Sequence, residues 1–208
     1  MPKRENRLKL VFAKDYPPRI TWYDSSAVYR DLVILFEYAN EVLLRKDFEL
    51  IRQDVSERTV CANLMLHLNR SLWGTPFRSY YTDVEYNRNK DGTVKTIIDR
   101  NEVITNITCD LIMHSRGKCI EQDNLLALEM KKSSRPDSEK QKDKNRLIAL
   151  TRDGNSAWPF GGATFPDHVG RYILGIYYEI DLEHHHIYLE YYRHGELTVS
   201  KTIDTINM

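Results

Sequence analysis

The sequence predicts an α/β fold in which an antiparallel meander of strands is flanked by helices. Three observations predict it. Two stretches in the first 72 residues carry apolar residues at helical spacing. Four short strand-like segments then follow between residues 80 and 132, with turn signals among them. A polar, lysine-rich stretch restores helical spacing before further apolar, tyrosine-rich segments.

The segment 1–23 has a short apolar run and then Pro17-Pro18, which forbids helix there. It is expected to be an arm packed on the domain. Asp24 or Ser25 is the expected cap of a helix running to about Lys46. Val28, Leu32, Leu35, Ala39, Val42 and Leu43 recur on one face of it. Asp54-Val55-Ser56-Glu57 reads as a capping box, with Asp54 as the cap and Glu57 three residues on. The helix that follows is expected to run to Leu72, before Gly74 and Pro76, with Val60, Cys61, Leu64, Met65, Leu68 and Leu72 as its stripe. Glu57 continues that buried face. It is either a capping glutamate or a carboxylate aimed at a site. His67, beside the stripe, is expected to be packed or at its rim.

Tyr80–Tyr86 reads as a strand with Tyr81, Asp83 and Glu85 on one face. Asn89-Lys90-Asp91-Gly92 signals a hairpin to a returning strand at Thr93–Ile98. Asn106–His114, the turn Ser115–Lys118 and Asn124–Lys131 complete the meander. Asp137 or Ser138 is expected to open a helix ending near Arg152, with Leu147, Ile148 and Leu150 on its apolar side. Trp158-Pro159-Phe160-Gly161-Gly162 lies in a loop and is either a lip over a groove or a packed corner. Arg171–Ile180, Ile187–Tyr192 and Thr198–Ile203 are the last strands, the final one at an edge. Neighbours in a strand point to opposite faces, so His184, His185 and His186 are not expected to hold one ion together.

Composition narrows the function classes. The 208 residues are 41% hydrophobic and 29% charged, which is ordinary for a globular chain. The formal net charge is +0, so attraction to nucleic acid must come from local patches. No apolar stretch is long enough to span a bilayer, and the charged start has no signal-peptide core, so no membrane role is expected. Three cysteines without metal-ligand spacing predict a reduced, cytoplasmic protein.

The chemistry-bearing stretch is Thr108–Lys132. The run Leu125-Leu126-Ala127-Leu128 ends in Glu129-Met130-Lys131. Alternation puts Glu129 and Lys131 on one face, with Leu126, Leu128 and Met130 on the other. A hairpin pairing would bring Asp110 to the same end of the sheet. Two carboxylates brought close repel, and a divalent cation is a common answer to that repulsion. The other reading of the trio is a strand-end salt bridge. Lys132, Arg135, Lys140 and Lys144 are candidate contacts for a phosphate-bearing surface, or only a solvated charged face.

Glu57, then Cys109-Asp110, then Glu129-Met130-Lys131, on a helix, a meander, a basic helix and a strand, resembles the PD-(D/E)XK nuclease superfamily. The resemblance covers about residues 54–180. The segments Val84-Glu85-Tyr86-Asn87-Arg88, Cys109 to Gly117 and Leu125 to Lys132 look like those of small bacterial members. The family's proline before the aspartate is Cys109 here.

The resemblance implies a restriction-endonuclease-like core with a central mixed sheet. It implies one nuclease domain over 1–208, with an N-terminal arm and helix and C-terminal strands outside the core. It also implies a Mg2+- or Mn2+-dependent nuclease acting on DNA. Asp110, Glu129, the Met130 carbonyl and Glu57 would be the ligands. Lys131 would sit beside the attacking water and the scissile phosphate. Apart from the resemblance, Glu85 and His114, the latter on Asp110's strand face by parity, are expected near the pocket as supporting or purely structural residues. A homodimer would let one site per subunit cut both strands. The rival expectations are a nucleic-acid-binding or interaction subunit that keeps the fold without the chemistry, and a nuclease acting on RNA.

Overall fold

The computed structural model describes residues 25–86, 96–98, 104–106, 108–119, 122–152, 171–206 and 208. The arm, the Asp24 and Ser25 caps, the Asn89–Gly92 turn and the Trp158–Gly162 loop lie outside what is described of those residues. The helices α1 (Ser25–Lys46), α2 (Phe48–Arg52) and α3 (Glu57–Ser71) come first. Strands β1 (Tyr81–Val84), β2 (Thr96–Ile98), β3 (Ile104–Asn106), β4 (Leu111–His114) and β5 (Asn124–Lys132) follow. Helix α4 (Asp137–Leu150) precedes β6 (Leu174–Asp181), β7 (His186–Arg193) and β8 (Glu196–Asp204).

Six strands form one mixed sheet in the order β1-β4-β5-β6-β7-β8, and β2 pairs β3 separately. Only β5 and β6 run parallel in the six-stranded sheet, joined through α4; the other neighbours are antiparallel. Alternation along the strands separates two cores. Leu126, Leu128 and Met130 of β5 meet the stripes of α1 and α3, including Leu32, Leu35, Leu64 and Leu68. Ala127 on the other face joins Leu147 and Leu150 of α4, with Ile112, Tyr177 and Tyr192. Burying each such leucine contributes about 1.5–3 kcal/mol, which fixes the register of β5 against both helix layers. Gly175 lets α4 approach β6 closely. A methyl there would lie 3.0 Å from Thr151 Cγ2 and 3.2 Å from Tyr192 Cβ.

Four sequence expectations are corrected. Among the described residues the expected hairpin pairing is replaced: β1 pairs β4, while β2 pairs β3. In that pairing Thr82 and Val84 lie opposite Met113 and Leu111, whose fully buried side chains anchor the register. The expected strand Asn106–His114 is two strands, because β3 ends at Asn106 and β4 begins at Leu111. Ser56, not Asp54, caps α3; its Oγ accepts the Thr59 N–H at 3.2 Å. Asp54 takes a left-handed φ of 55°, and Glu57 is the first helical residue rather than the third. Between α1 and α3 the chain also forms the short α2, which buries Ile51.

Candidate functional site

The site grows from a mismatch in strand length. β4 begins at Leu111, which lies opposite Leu128, while β5 continues to Lys132. Beyond Leu128 the β4 side of β5 therefore has no strand to bond among the described residues, and buried N–H groups require partners. Two carboxylates supply them. Asp110 Oδ2 accepts the Met130 N–H at 2.8 Å, and Glu57 Oε1 accepts the Lys132 N–H at 2.9 Å. This explains why Asp110 leaves the strand: its side chain replaces a ladder bond. It also explains why Glu57, at the first turn of α3, points to the end of β5. The second oxygens of Asp110 and Glu57 make no hydrogen bond among the described residues. The carbonyl of a strand residue points to the same side as its N–H, so Met130 turns its carbonyl toward Asp110.

Glu129 and Lys131 leave the opposite way, toward α4. Glu129 is 1% exposed, and its Oε1 meets Arg146 Nη1 at 2.7 Å. Lys131 Nζ meets Asp143 Oδ2 at 3.0 Å, and Asp143 Oδ1 meets Arg146 Nη1 at 3.1 Å. Glu129, Arg146, Asp143 and Lys131 thus form a chain of four ionisable groups, acid and base in turn, clamping α4 to β5.

Burial first, then Asp110 and Asp143, push the Glu129 carboxyl up to about 8, with Arg146 pulling the other way. Burial likewise raises the Asp110 carboxyl against the Met130 N–H and Lys131, with Asp143 and Glu57 adding to the rise. Burial works against the Lys131 ammonium, but Asp143, Asp110 and Glu57 outweigh it and hold Lys131 above its ordinary range. Lys131 is therefore a cation at neutral pH. Burial and the carboxylates Asp110, Glu129 and Glu57 push the Cys61 thiol up; its sulfur lies 3.7 Å from that of Met130.

No protein-family model, curated protein or solved structure matches the chain.

The predicted residues thus divide into two pairs on one strand end. Asp110 and Glu57 flank the β4 edge of β5, while Glu129 and Lys131 face α4. Their mutual effects on protonation reflect a concentration of negative charge that a cation relieves, and carboxylate oxygens suit a hard divalent ion. Among the described residues, no three His, Cys, Asp or Glu side chains are gathered closely enough to hold a metal ion. The counter-charges in this arrangement are the protein's own Lys131 and Arg146.

The four candidate phosphate contacts all face carboxylates. Lys132 Nζ meets Asp54 Oδ1 at 2.7 Å, and Arg135 Nε meets Glu57 Oε1 at 3.5 Å. Lys140 meets Asp137 at 3.1 Å and Glu179 at 3.6 Å. Lys144 meets Glu190 at 2.8 Å and lies over the Tyr177 ring at 4.5 Å. Glu85 pairs with Arg58, and His114 Nε2 lies 2.9 Å from Asp83 Oδ2. His184 and His186 both turn to Asp181, at 2.9 and 3.6 Å. No described helix is long and apolar enough to cross a membrane.

Sequence reasoning missed Asp143 and Arg146 as site residues. The signal was present: Asp143, Leu147 and Leu150 stand at i, i+4 and i+7. The stripe that docks α4 thus carries an acid.

Proposed function

We propose that the chain is a divalent-metal-dependent nuclease acting on DNA, with a restriction-endonuclease-like core. The observation that carries this reading is that Asp110, Glu129, Glu57 and Lys131 all lie at one end of β5, where Asp110 raises the Glu129 carboxyl and Asp110 and Glu57 raise Lys131. The helix, antiparallel β1-β4-β5, basic helix and parallel β6 agree with the order the family resemblance implies.

Asp110 and Glu129, with the Met130 carbonyl and Glu57, would hold Mg2+ or Mn2+. Such an ion supplies a water of lowered pKa and relief of charge on the phosphate oxygens. The chain's own residues do the rest. Asp110 and Glu57 stay fixed by the N–H groups of Met130 and Lys132. Lys131, held charged by Asp143, stabilises the scissile phosphate rather than acting as a base. The test is cleavage of plasmid, DNA oligonucleotides and RNA with Mg2+ or Mn2+. Lys131→Ala is expected to lose at least about 100-fold in rate, in the range seen on removing one transition-state donor. Equal cleavage by wild type and variant would sink the reading.

A second reading is a binding or interaction subunit that keeps the fold without the chemistry. It is favoured by the way Glu129, Arg146, Asp143 and Lys131 neutralise one another. Salt-dependent nucleic-acid binding with no metal dependence and no cutting would select it.

A further inference from the structure

We propose that the outer face of α3, ending at Trp73, is a nucleic-acid-binding surface that takes unpaired bases on the Trp73 ring. This rests on the nucleic-acid part of the reading above and deepens it, since it names the form of the substrate and residues outside the motif that hold it.

The argument starts from charge. The chain carries 30 acidic and 30 basic residues. Yet no Asp or Glu stands between Glu57 and Asp83, the longest acid-free stretch in the sequence. That stretch is α3, the loop after it and the start of β1. Its arginines, Arg58, Arg70 and Arg78, are all exposed. Arg58 meets Glu85, whereas no ion pair engages Arg70 or Arg78 among the described residues. A local excess of positive charge attracts a polyanion even to a chain with no net charge.

The second observation is the ring itself. α3 turns Val60, Cys61, Leu64 and Leu68 to the core. Thr59, Leu66, Asn69 and Arg70 stand exposed on its other side, and Trp73 continues that side just past the helix end. Trp73 is 81% exposed, more than any other large apolar residue described, although tryptophan ordinarily buries most of its surface. Its backbone is held in place. Leu72, Phe77 and Tyr80 are buried around it in sequence. The Thr75 hydroxyl donates to the Leu72 carbonyl at 2.7 Å, and the Tyr80 hydroxyl to the Gln122 carbonyl at 2.7 Å. A fixed loop loses little freedom when a ligand settles on it.

Arg70 precedes Trp73 by close to one helical turn, and Arg78 closes the same loop. An exposed ring with guanidinium groups on both sides in sequence suits a single strand, whose bases stack on the ring while its phosphates meet the arginines. In a duplex the bases are stacked on one another and offer Trp73 no face. α3 also starts at Glu57, which bonds the Lys132 N–H at the end of β5, and runs about 21 Å to Ser71. A strand lying along it spans from the candidate site to Trp73.

The test is fluorescence anisotropy of a fluorescein-labelled DNA strand of mixed sequence, with the RNA strand of the same sequence and the DNA duplex as further arms. A chelator removes divalent ions, so no cutting intervenes. Wild type, Trp73→Ala, Trp73→Phe and the double variant Arg70→Gln/Arg78→Gln are compared, and urea unfolding reports whether each is folded. Trp73→Ala is expected to weaken single-strand binding about tenfold and to leave duplex binding unchanged. Trp73→Phe, which keeps a ring, is expected to stay within about threefold of wild type. The double variant is expected to lower the slope of log affinity against log salt by about 1.4, from about 0.7 for each phosphate contact. It keeps the idea testable should Trp73→Ala not fold. Loss on the DNA strand, the RNA strand or both bears the inference out and names the backbone.

Single-strand binding by folded Trp73→Ala that equals wild type overturns the inference, as does an unchanged salt slope in the double variant. A Trp73-dependent dimer in sedimentation with no binding of any oligonucleotide also overturns it and gives the face to a second copy of the chain. Wild type that cuts DNA while Trp73→Ala binds as well as wild type fails the inference alone. Trp73-dependent binding without cutting in Mg2+ or Mn2+ upholds the inference and fails the nuclease reading alone.

Discussion

The protonation of Glu129 makes stability depend on pH in a direction opposite to that of an ordinary paired carboxylate. Burial raises this carboxyl from 4.5 to about 8. Between those values the folded protein holds a proton that the unfolded chain has released. Stability therefore falls as pH rises through this window, by up to about 1.4 kcal/mol per pH unit. Across the whole window the loss is on the order of a few kcal/mol. Glu129→Gln imitates the protonated carboxyl at every pH. The measurement is urea unfolding of both proteins from pH 5 to pH 9, with divalent ions chelated and the slope of the transition checked for constancy. The variant is expected to match wild type near pH 5 and to exceed it increasingly toward pH 9. Taking the difference cancels the other titrating groups, including Asp110, whose carboxyl is also raised. Parallel curves with a constant offset would refute the reasoning. They would mean that Glu129 is charged throughout and that its pairing with Arg146 outweighs its burial.

Two further outcomes test the surroundings of the site. Asp143→Asn removes the acid that Lys131 and Arg146 share, and it is expected to destabilise by about 2 kcal/mol in urea. That is less than a fully buried pair would lose, because both cations reach solvent. Gly175→Val drives a branched side chain toward Thr151 Cγ2, where even a methyl would stand at 3.0 Å; overpacking is expected to cost about 1–3 kcal/mol, read as a lowered thermal midpoint.

The sequence made α1, α3, α4 and β5 legible for the same reason. Each buries a continuous set of apolar residues, so periodicity reports it directly, and the end of α1 and the bounds of β5 fall within a residue of expectation. The strand through Asp110 was not legible. Period-2 apolar patterning suggests a strand from Asn106, but the Asp110 side chain bonds the Met130 N–H and takes the ladder's place. The pairing of β1 was hidden by the Asp91-Gly92 signal, which speaks only of local turning. The partner of β1 is chosen by Leu111 and Met113, far along the chain. The cap of α3 was misplaced by two residues because Asp54 and Ser56 are both good caps, and only the fold gives Asp54 another task, holding Lys132. Glu57, Asp110, Glu129 and Lys131 were legible as residues. Their division between the β4 edge and α4 was not, because it depends on where β4 stops.

That division separates architecture from chemistry. Asp110 and Glu57 each satisfy a strand N–H that β4 does not reach, so the fold needs acceptors there with or without a metal ion. Glu129 and Lys131 satisfy no backbone group among the described residues. Their contacts with Arg146 and Asp143 set four ionisable groups against one another close to an apolar core, and such pairs are often no more stable than apolar residues of the same size. A carboxylate that is 1% exposed and raised toward neutrality is a costly choice for holding a helix that Leu147 and Leu150 already dock. The binding-only reading leaves that cost without a return. In the nuclease reading Glu129 supplies the charge for a cation and Lys131 the charge for a phosphate. Simultaneous replacement of Glu129, Lys131, Asp143 and Arg146 by apolar residues thus separates the two: stability is held while metal binding is lost.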